Sequence, residues 1–262
     1  MEPFLTPVID LVRASEDGIN SLSDLVDYHV KRNPDYPFCV QATRKLGEDG
    51  YSLASITYRI LGGAVSRCVS WIEMHVATNP VDTASVGEGG GTRPPVALLM
   101  DSDLGLAVHI LSLMAMGVPM VLLSSRLSPT AAWHLIQRAG ATTALVSERL
   151  RPILSEANAI VTDQGGPDLS MSTQIITAVS YKHFMDGAEP ALDEEPVRFR
   201  PRAASAEKVP AVILHSSGTS GLPKPINCFQ RYFLGFSQCH YFRTPAECQA
   251  LALSTSPFFH VR

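Results

Sequence analysis

The chain has 262 residues, of which 45% are hydrophobic and 18% charged, with a formal net charge of −4. Such a length can bury a substantial core as one large domain or two small ones, and this balance excludes a disordered chain. The slightly acidic total also argues against a nucleic-acid binder working through a general basic surface.

The N-terminus, Met1 to Pro7, has no basic region followed by an apolar core, so no secretory signal is visible. Five cysteines, Cys39, Cys68, Cys228, Cys239 and Cys248, are scattered and form no Cys-x-x-Cys pair. An odd, scattered set points to reduced thiols and a cytoplasmic location. Cys239, His240 and Cys248 lack a fourth ligand and a standard spacing for a metal site, so the expectation is that no metal is bound there.

In chain order, Ser21 followed by Asp24 reads as a capping box, and Leu22, Leu25, Val26 and Val30 then repeat at helical spacing until Asn33-Pro34. Cys39 to Ala42 reads as a first strand. Thr57 opens a longer helix with Leu61, Ala64, Val65, Cys68 and Ile72 on its apolar face. The pair Gly62-Gly63 inside it costs about 1 kcal/mol each relative to alanine and signals close packing. Residues 79–95 turn rich in Gly, Thr, Ser and Pro and read as a mobile surface insertion.

Order returns with the buried strand Val96 to Met100, then Asp101-Ser102-Asp103, where either acid can cap the next helix; capping is favoured over a paired-acid metal site. Leu104 to Leu123 contains no charged residue and matches the length of a bilayer crossing. Gly117-Val118-Pro119 interrupts it, however, so it reads as a buried helix, a turn and a buried strand, with no membrane involved. Ser128-Pro129 is a helix start and Gly140 its stop. Ala144 to Val146 reads as a strand, Ser147 as the cap of a short helix through Leu154, and Ile160 to Thr162 as another strand. Strands alternating with helices of this length predict parallel β-α-β units. Residues 186–210, rich in Pro, Ala and acids before turning basic, read as a solvated connector. Phe229, Tyr232, Phe233 and Phe236 form an aromatic helix face suited to core packing. Leu251 to Leu253 reads as a late strand.

The most informative stretch follows the apolar run Val209 to Leu214: His215-Ser216-Ser217-Gly218-Thr219-Ser220-Gly221-Leu222-Pro223-Lys224. Glycines let a backbone approach a ligand and present converging N–H groups, hydroxyls donate further bonds, and a lysine adds a mobile charge. The composition suits a polyphosphate, although a Ser/Gly-rich surface turn has the same composition. The spacing is neither that of a Walker A loop nor that of a nucleophile elbow.

Ser216 through Lys224 resembles, position by position, the signature loop of the adenylate-forming superfamily, which includes acyl-CoA synthetases, luciferases and peptide-synthetase adenylation domains. Pro225 stands where most members have glycine, and this form is most similar to fungal single-module, synthetase-like reductases. Thr57-Tyr58, the block from Val96 to Leu150, and Pro257-Phe258-Phe259-His260 also resemble family segments. The resemblance implies an α/β fold of stacked, largely parallel sheets with flanking helices. It also implies that residues 1–262 are the N-terminal portion of an adenylation domain. Its activity would be ATP- and Mg2+-dependent activation of a carboxylic acid as an acyl adenylate. Ser217, Gly218, Thr219, Ser220 and Gly221 would hold the β- and γ-phosphates, Ser216 would start the loop, Lys224 would add charge, and His260 would border the acyl pocket. Family members continue with an adenine-side aromatic-Gly-x-Thr-Glu segment and a catalytic lysine that the 262 residues do not contain, so the expectation is a chain inactive by itself. A full-length relative would add carrier and reductase domains as partners. The alternatives are a non-catalytic nucleotide-binding module and an α/β structural protein with a coincidental loop.

Overall fold

The computed structural model describes residues 19, 21–44, 50–76, 93–163, 165, 173–185, 209–216 and 221–239. Helix α1 (Leu22–Arg32) starts at Ser21, whose hydroxyl accepts from the Asp24 N–H at 3.1 Å. A hairpin of β1 (Pro37–Arg44) and β2 (Tyr51–Thr57) follows, antiparallel and apart from the main sheet. Thr57 then caps α2 (Tyr58–His75), as expected from the sequence.

The main sheet takes shape from β3 (Val96–Leu99), α3 (Leu104–Ala115), β4 (Met120–Leu122), α4 (Pro129–Ala139) and β5 (Thr143–Val146). After a 3-10 turn (Glu148–Leu150) come α5 (Arg151–Asp163), β6 (Gln174–Thr177) and the short α6 (Tyr181–Met185). Strands β7 (Val212–His215) and β8 (Pro225–Cys228) and helix α7 (Gln230–Cys239) complete the described chain. The six strands lie in the order β6-β5-β3-β4-β7-β8, parallel except for β8 on the edge. The expected largely parallel sheet with flanking helices is therefore present.

Alternation along the strands sorts the core into two layers. Leu98, Met120, Leu122, Leu145, Val212 and Leu214 face a cluster that includes residues of α1, α2, α3 and α6. Ala97, Leu99, Val121, Leu123, Val146 and Ile213 face α4 and α5 on the other side. The uncharged stretch from Leu104 is core, as predicted, and among the described residues no helix is long and apolar enough to cross a membrane.

Two sequence expectations need correction. Ile160 to Thr162 is no strand but the last part of α5, because Leu154, Ala157 and Val161 recur on one buried helical stripe that overrides the β-branched run. Ser147 makes no side-chain cap; its hydroxyl instead accepts from the Asp101 N–H at 3.1 Å, tying β5 to the end of β3. The aromatic face of α7 is only partly core: Phe233 is half-buried while Tyr232 is 43% exposed. Residues 251–253 and nearly all of the expected insertion and connector lie outside the described residues.

The glycine pair of α2 has a physical account. A Cβ on Gly62 would sit 2.8 Å from Val30 Cγ2, so this position is where α1 and α2 approach. A Cβ on Gly63 would lie 3.2 Å from Nη1 and 3.3 Å from Nη2 of Arg67, which folds back along its own helix. Gly62→Ala is expected to cost up to about 2 kcal/mol through overpacking, only partly offset by the roughly 1 kcal/mol helix-propensity gain. Gly63→Ala, facing a movable side-chain end, is expected not to destabilise. Denaturant melts of the two variants check the contrast.

Candidate phosphate-binding edge

The serine- and glycine-rich loop leaves the carboxyl end of β7, where ligands bind in open parallel sheets. Its roots are pinned. The Ser216 N–H donates to the Lys224 carbonyl at 3.1 Å, and the Lys224 N–H donates to the Ser216 hydroxyl at 3.1 Å. These two bonds hold residues 216 and 224 side by side as the neck of the loop. Gly221 has φ +145°, and a Cβ there would meet nothing within 4 Å; it is the backbone conformation, rather than crowding, that calls for glycine. The Lys224 side chain is exposed and makes no ion pair among the described residues.

Pro225, the departure from the superfamily pattern, opens the edge strand β8 opposite His215. Proline cannot donate to a ladder and is accommodated at the first residue of an edge strand. His215 is a positioning residue that the sequence did not single out. Its Nε2 accepts from the Ser124 N–H at 3.3 Å, which leaves the proton on Nδ1, 3.2 Å from the Ser216 carbonyl. The imidazole thereby links the segment after β4 to the root of the loop, across two strands that pair in parallel. Only its place between an apolar strand and a hydroxyl run could have flagged it.

Of the predicted site residues, the structure brings Ser216 and Lys224 together at this neck, and Gly221 lies three residues before Lys224. Ser217, Gly218, Thr219, Ser220 and His260 lie outside the described residues, as do His240 and Cys248. Along the same edge, Asp103 caps α3 by accepting from the N–H groups of Gly105 at 2.8 Å and Leu106 at 3.3 Å. Burial raises its carboxyl above the usual range, while those two bonds oppose the shift. Asp101 instead pairs with Arg149. Among the described residues no group of three or more His, Cys, Asp or Glu side chains could hold a metal ion.

A largely parallel six-stranded sheet flanked by helices on both faces defines an α/β protein. Comparison with known proteins makes the assignment specific. The chain belongs to the family described as AMP-binding enzyme, which it matches over residues 27–262. It is 36% identical over 267 residues to the non-canonical non-ribosomal peptide synthetase ascB of Acremonium egyptiacum, covering 98% of this chain and 22% of that protein. It is 32% identical over 265 residues to an adenylate-forming reductase of Aspergillus terreus, covering 98% and 24%. The chain thus spans less than a quarter of the length of these relatives. Among solved structures it is similar to the fatty acyl-adenylate ligase of L. pneumophila in complex with acyl adenylate and pyrophosphate. That match has TM-score 0.53 and 14% identity, over 84% of this chain and 32% of that one. The N-terminal subdomain of Klebsiella oxytoca NpsA gives TM-score 0.51 and 18% identity, over 80% and 41%. At these identities the structures support the fold alone.

Proposed function

We propose that this chain is the front part of an ATP-dependent, carboxylate-activating domain, with the loop from Ser216 to Lys224 as its phosphate-binding element. The observation that carries the reading is the paired closure between Ser216 and Lys224 at the carboxyl edge of β7. It holds the loop's two ends side by side, which lowers the entropy lost when backbone N–H groups and hydroxyls gather on one anion. Gly221 supplies the unusual backbone conformation, and Lys224 supplies a charge that no acid among the described residues neutralises.

In the reaction of such a domain, a carboxylate oxygen bonds to the α-phosphorus of ATP, the bond to the bridging oxygen breaks, and pyrophosphate departs. The loop's part is to orient the β- and γ-phosphates and to offset the charge carried away on the leaving group. Mg2+ would neutralise the same phosphates when bound. His260 is proposed to border the acyl group. The 262 residues contain no counterpart of the adenine-side segment or the catalytic lysine, so binding without turnover is proposed for them by themselves. Their natural setting is proposed to be cytoplasmic, with carrier and reductase domains following.

Lys224→Ala tests the reading. ATP affinity of the 262-residue chain is expected near millimolar and should fall about tenfold in the variant, with folding nearly unchanged because a solvated lysine contributes little to stability. Calorimetric titration measures the first quantity and circular dichroism the second. Unchanged affinity would refute the role of Lys224.

A further inference from the structure

We propose that the turn from Ser124 to Leu127 forms a second wall of the phosphate-binding edge, with Arg126 as a binding residue for the β- and γ-phosphates. The proposal rests on the reading of the Ser216–Lys224 loop given above and adds a residue to that same site. Strands β4 and β7 are parallel neighbours, with Met120 level with Val212 and Val121 level with Ile213. Continuing that register puts Ser124 level with Ser216, and neighbouring strands lie only about 4.8 Å apart. The bond from the Ser124 N–H to the His215 ring, at 3.3 Å, keeps the two chains together beyond the last ladder pair.

The chain turns sharply at that point. The Leu127 N–H donates to the Ser124 carbonyl at 3.1 Å, and the Arg126 N–H donates to the Ser124 hydroxyl at 3.2 Å. Ser124 is buried, so the turn is fixed to the sheet, while Arg126 is exposed. Arg126 makes no ion pair among the described residues. The arginines that follow β5 at the same edge are committed elsewhere: Arg149 pairs with Asp101, and Arg151 donates to the Thr177 hydroxyl at 2.6 Å. Arg138 sits in the last turn of α4, which runs back toward the amino edge. Arg126 is thus the arginine left over beside the root of the loop.

A polyphosphate concentrates several negative charges, and Lys224 offsets only one of them. Lysine is a compact point charge, whereas the planar fork of an arginine spans two phosphate oxygens at once. Arg126 from the β4 side and Lys224 from the β8 side grip the anion from two directions, which fixes its orientation as well as its charge. His215 keeps the two sides in a constant relation, since its ring bonds to the Ser124 N–H and to the Ser216 carbonyl.

The test compares Arg126→Gln with Arg138→Gln, which removes the same charge from the exposed far end of α4. ATP and pyrophosphate are titrated separately into the 262-residue chain at constant ionic strength, and amide NMR shifts give half-saturation. Arg126→Gln is expected to weaken both ligands about tenfold, and by the same factor, because both present the β- and γ-phosphates. Arg126→Lys should fall between wild type and Arg126→Gln, since it keeps the charge without the fork. Arg138→Gln should match wild type, and melting temperatures should agree throughout because both arginines are exposed. An effect of Arg126→Gln no larger than that of Arg138→Gln overturns the proposal, since overall charge alone would then be acting. Weaker ATP binding with pyrophosphate unaffected overturns the assignment to the β- and γ-phosphates. Failure of the underlying reading looks different: wild type then binds neither ligand, or Lys224→Ala leaves their affinity unchanged. Loss of affinity in Lys224→Ala with none in Arg126→Gln removes Arg126 alone from the site.

Discussion

Phe184→Ala should cost about 3–5 kcal/mol of folding stability, the largest effect expected of a single substitution here. Phe184 is 1% exposed and is the sole buried residue of α6, so it is the peg that holds this short helix onto the core. Its ring makes edge contacts with His109 at 5.5 Å and Trp71 at 6.3 Å between centroids. Truncation leaves a void beside two rings anchored on longer helices, which cannot collapse into it. Five residues cannot sustain a helix by themselves, so loss of the peg should also loosen α6. Equilibrium unfolding in urea gives the cost; a loss below about 1 kcal/mol would show that α6 is not part of the cooperative core.

The second large effect is a loss of stability in mild acid that traces to His109. This imidazole is fully buried in α3, and its Nδ1–H donates to the Gly105 carbonyl at 2.8 Å, leaving Nε2 buried without a partner. Burial pulls its pKa down from 6.5 to about 4, against the smaller upward pull of the Gly105 carbonyl. As pH falls through 6.5 the unfolded chain takes up a proton that the folded chain refuses until about pH 4. The unfolded state therefore binds more protons in that window, and stability drops across it by an amount on the order of 3 kcal/mol. His29, whose pKa burial also lowers, contributes in the same direction. His109→Gln keeps a donor for the Gly105 carbonyl and removes the titration. The gap in stability between wild type and variant should shift by about that amount between pH 7 and pH 4. A gap that stays constant would contradict the argument.

How far the sequence could be read depended on whether local signals agreed with burial. Helices α1, α2, α3 and α4 each combine a cap with apolar spacing, and Ser21, Thr57, Asp103 and Ser128 all cap as expected. Strand β2 was missed because Tyr51 to Ser55 are exposed throughout, with Tyr51 and Leu53 at 66% and 69%, so no alternation marks a buried face. β8 was hidden by Pro225, which reads as loop punctuation until its edge position is known. β6 and α6 are only 4 and 5 residues long, too short for a period to emerge. At the site, the loop was legible as a linear motif, whereas the closure of its neck and the His215 link depend on which strands lie side by side.

Amide hydrogen exchange across the loop, with and without saturating ATP, tests the phosphate-binding role most directly. If Ser216 to Lys224 is the phosphate element, ATP should slow exchange at Gly218 to Gly221 severalfold, with pyrophosphate giving the same pattern and Lys224→Ala reducing it. Equal exchange rates at these amides with and without ATP, under conditions where binding is saturated, would contradict it.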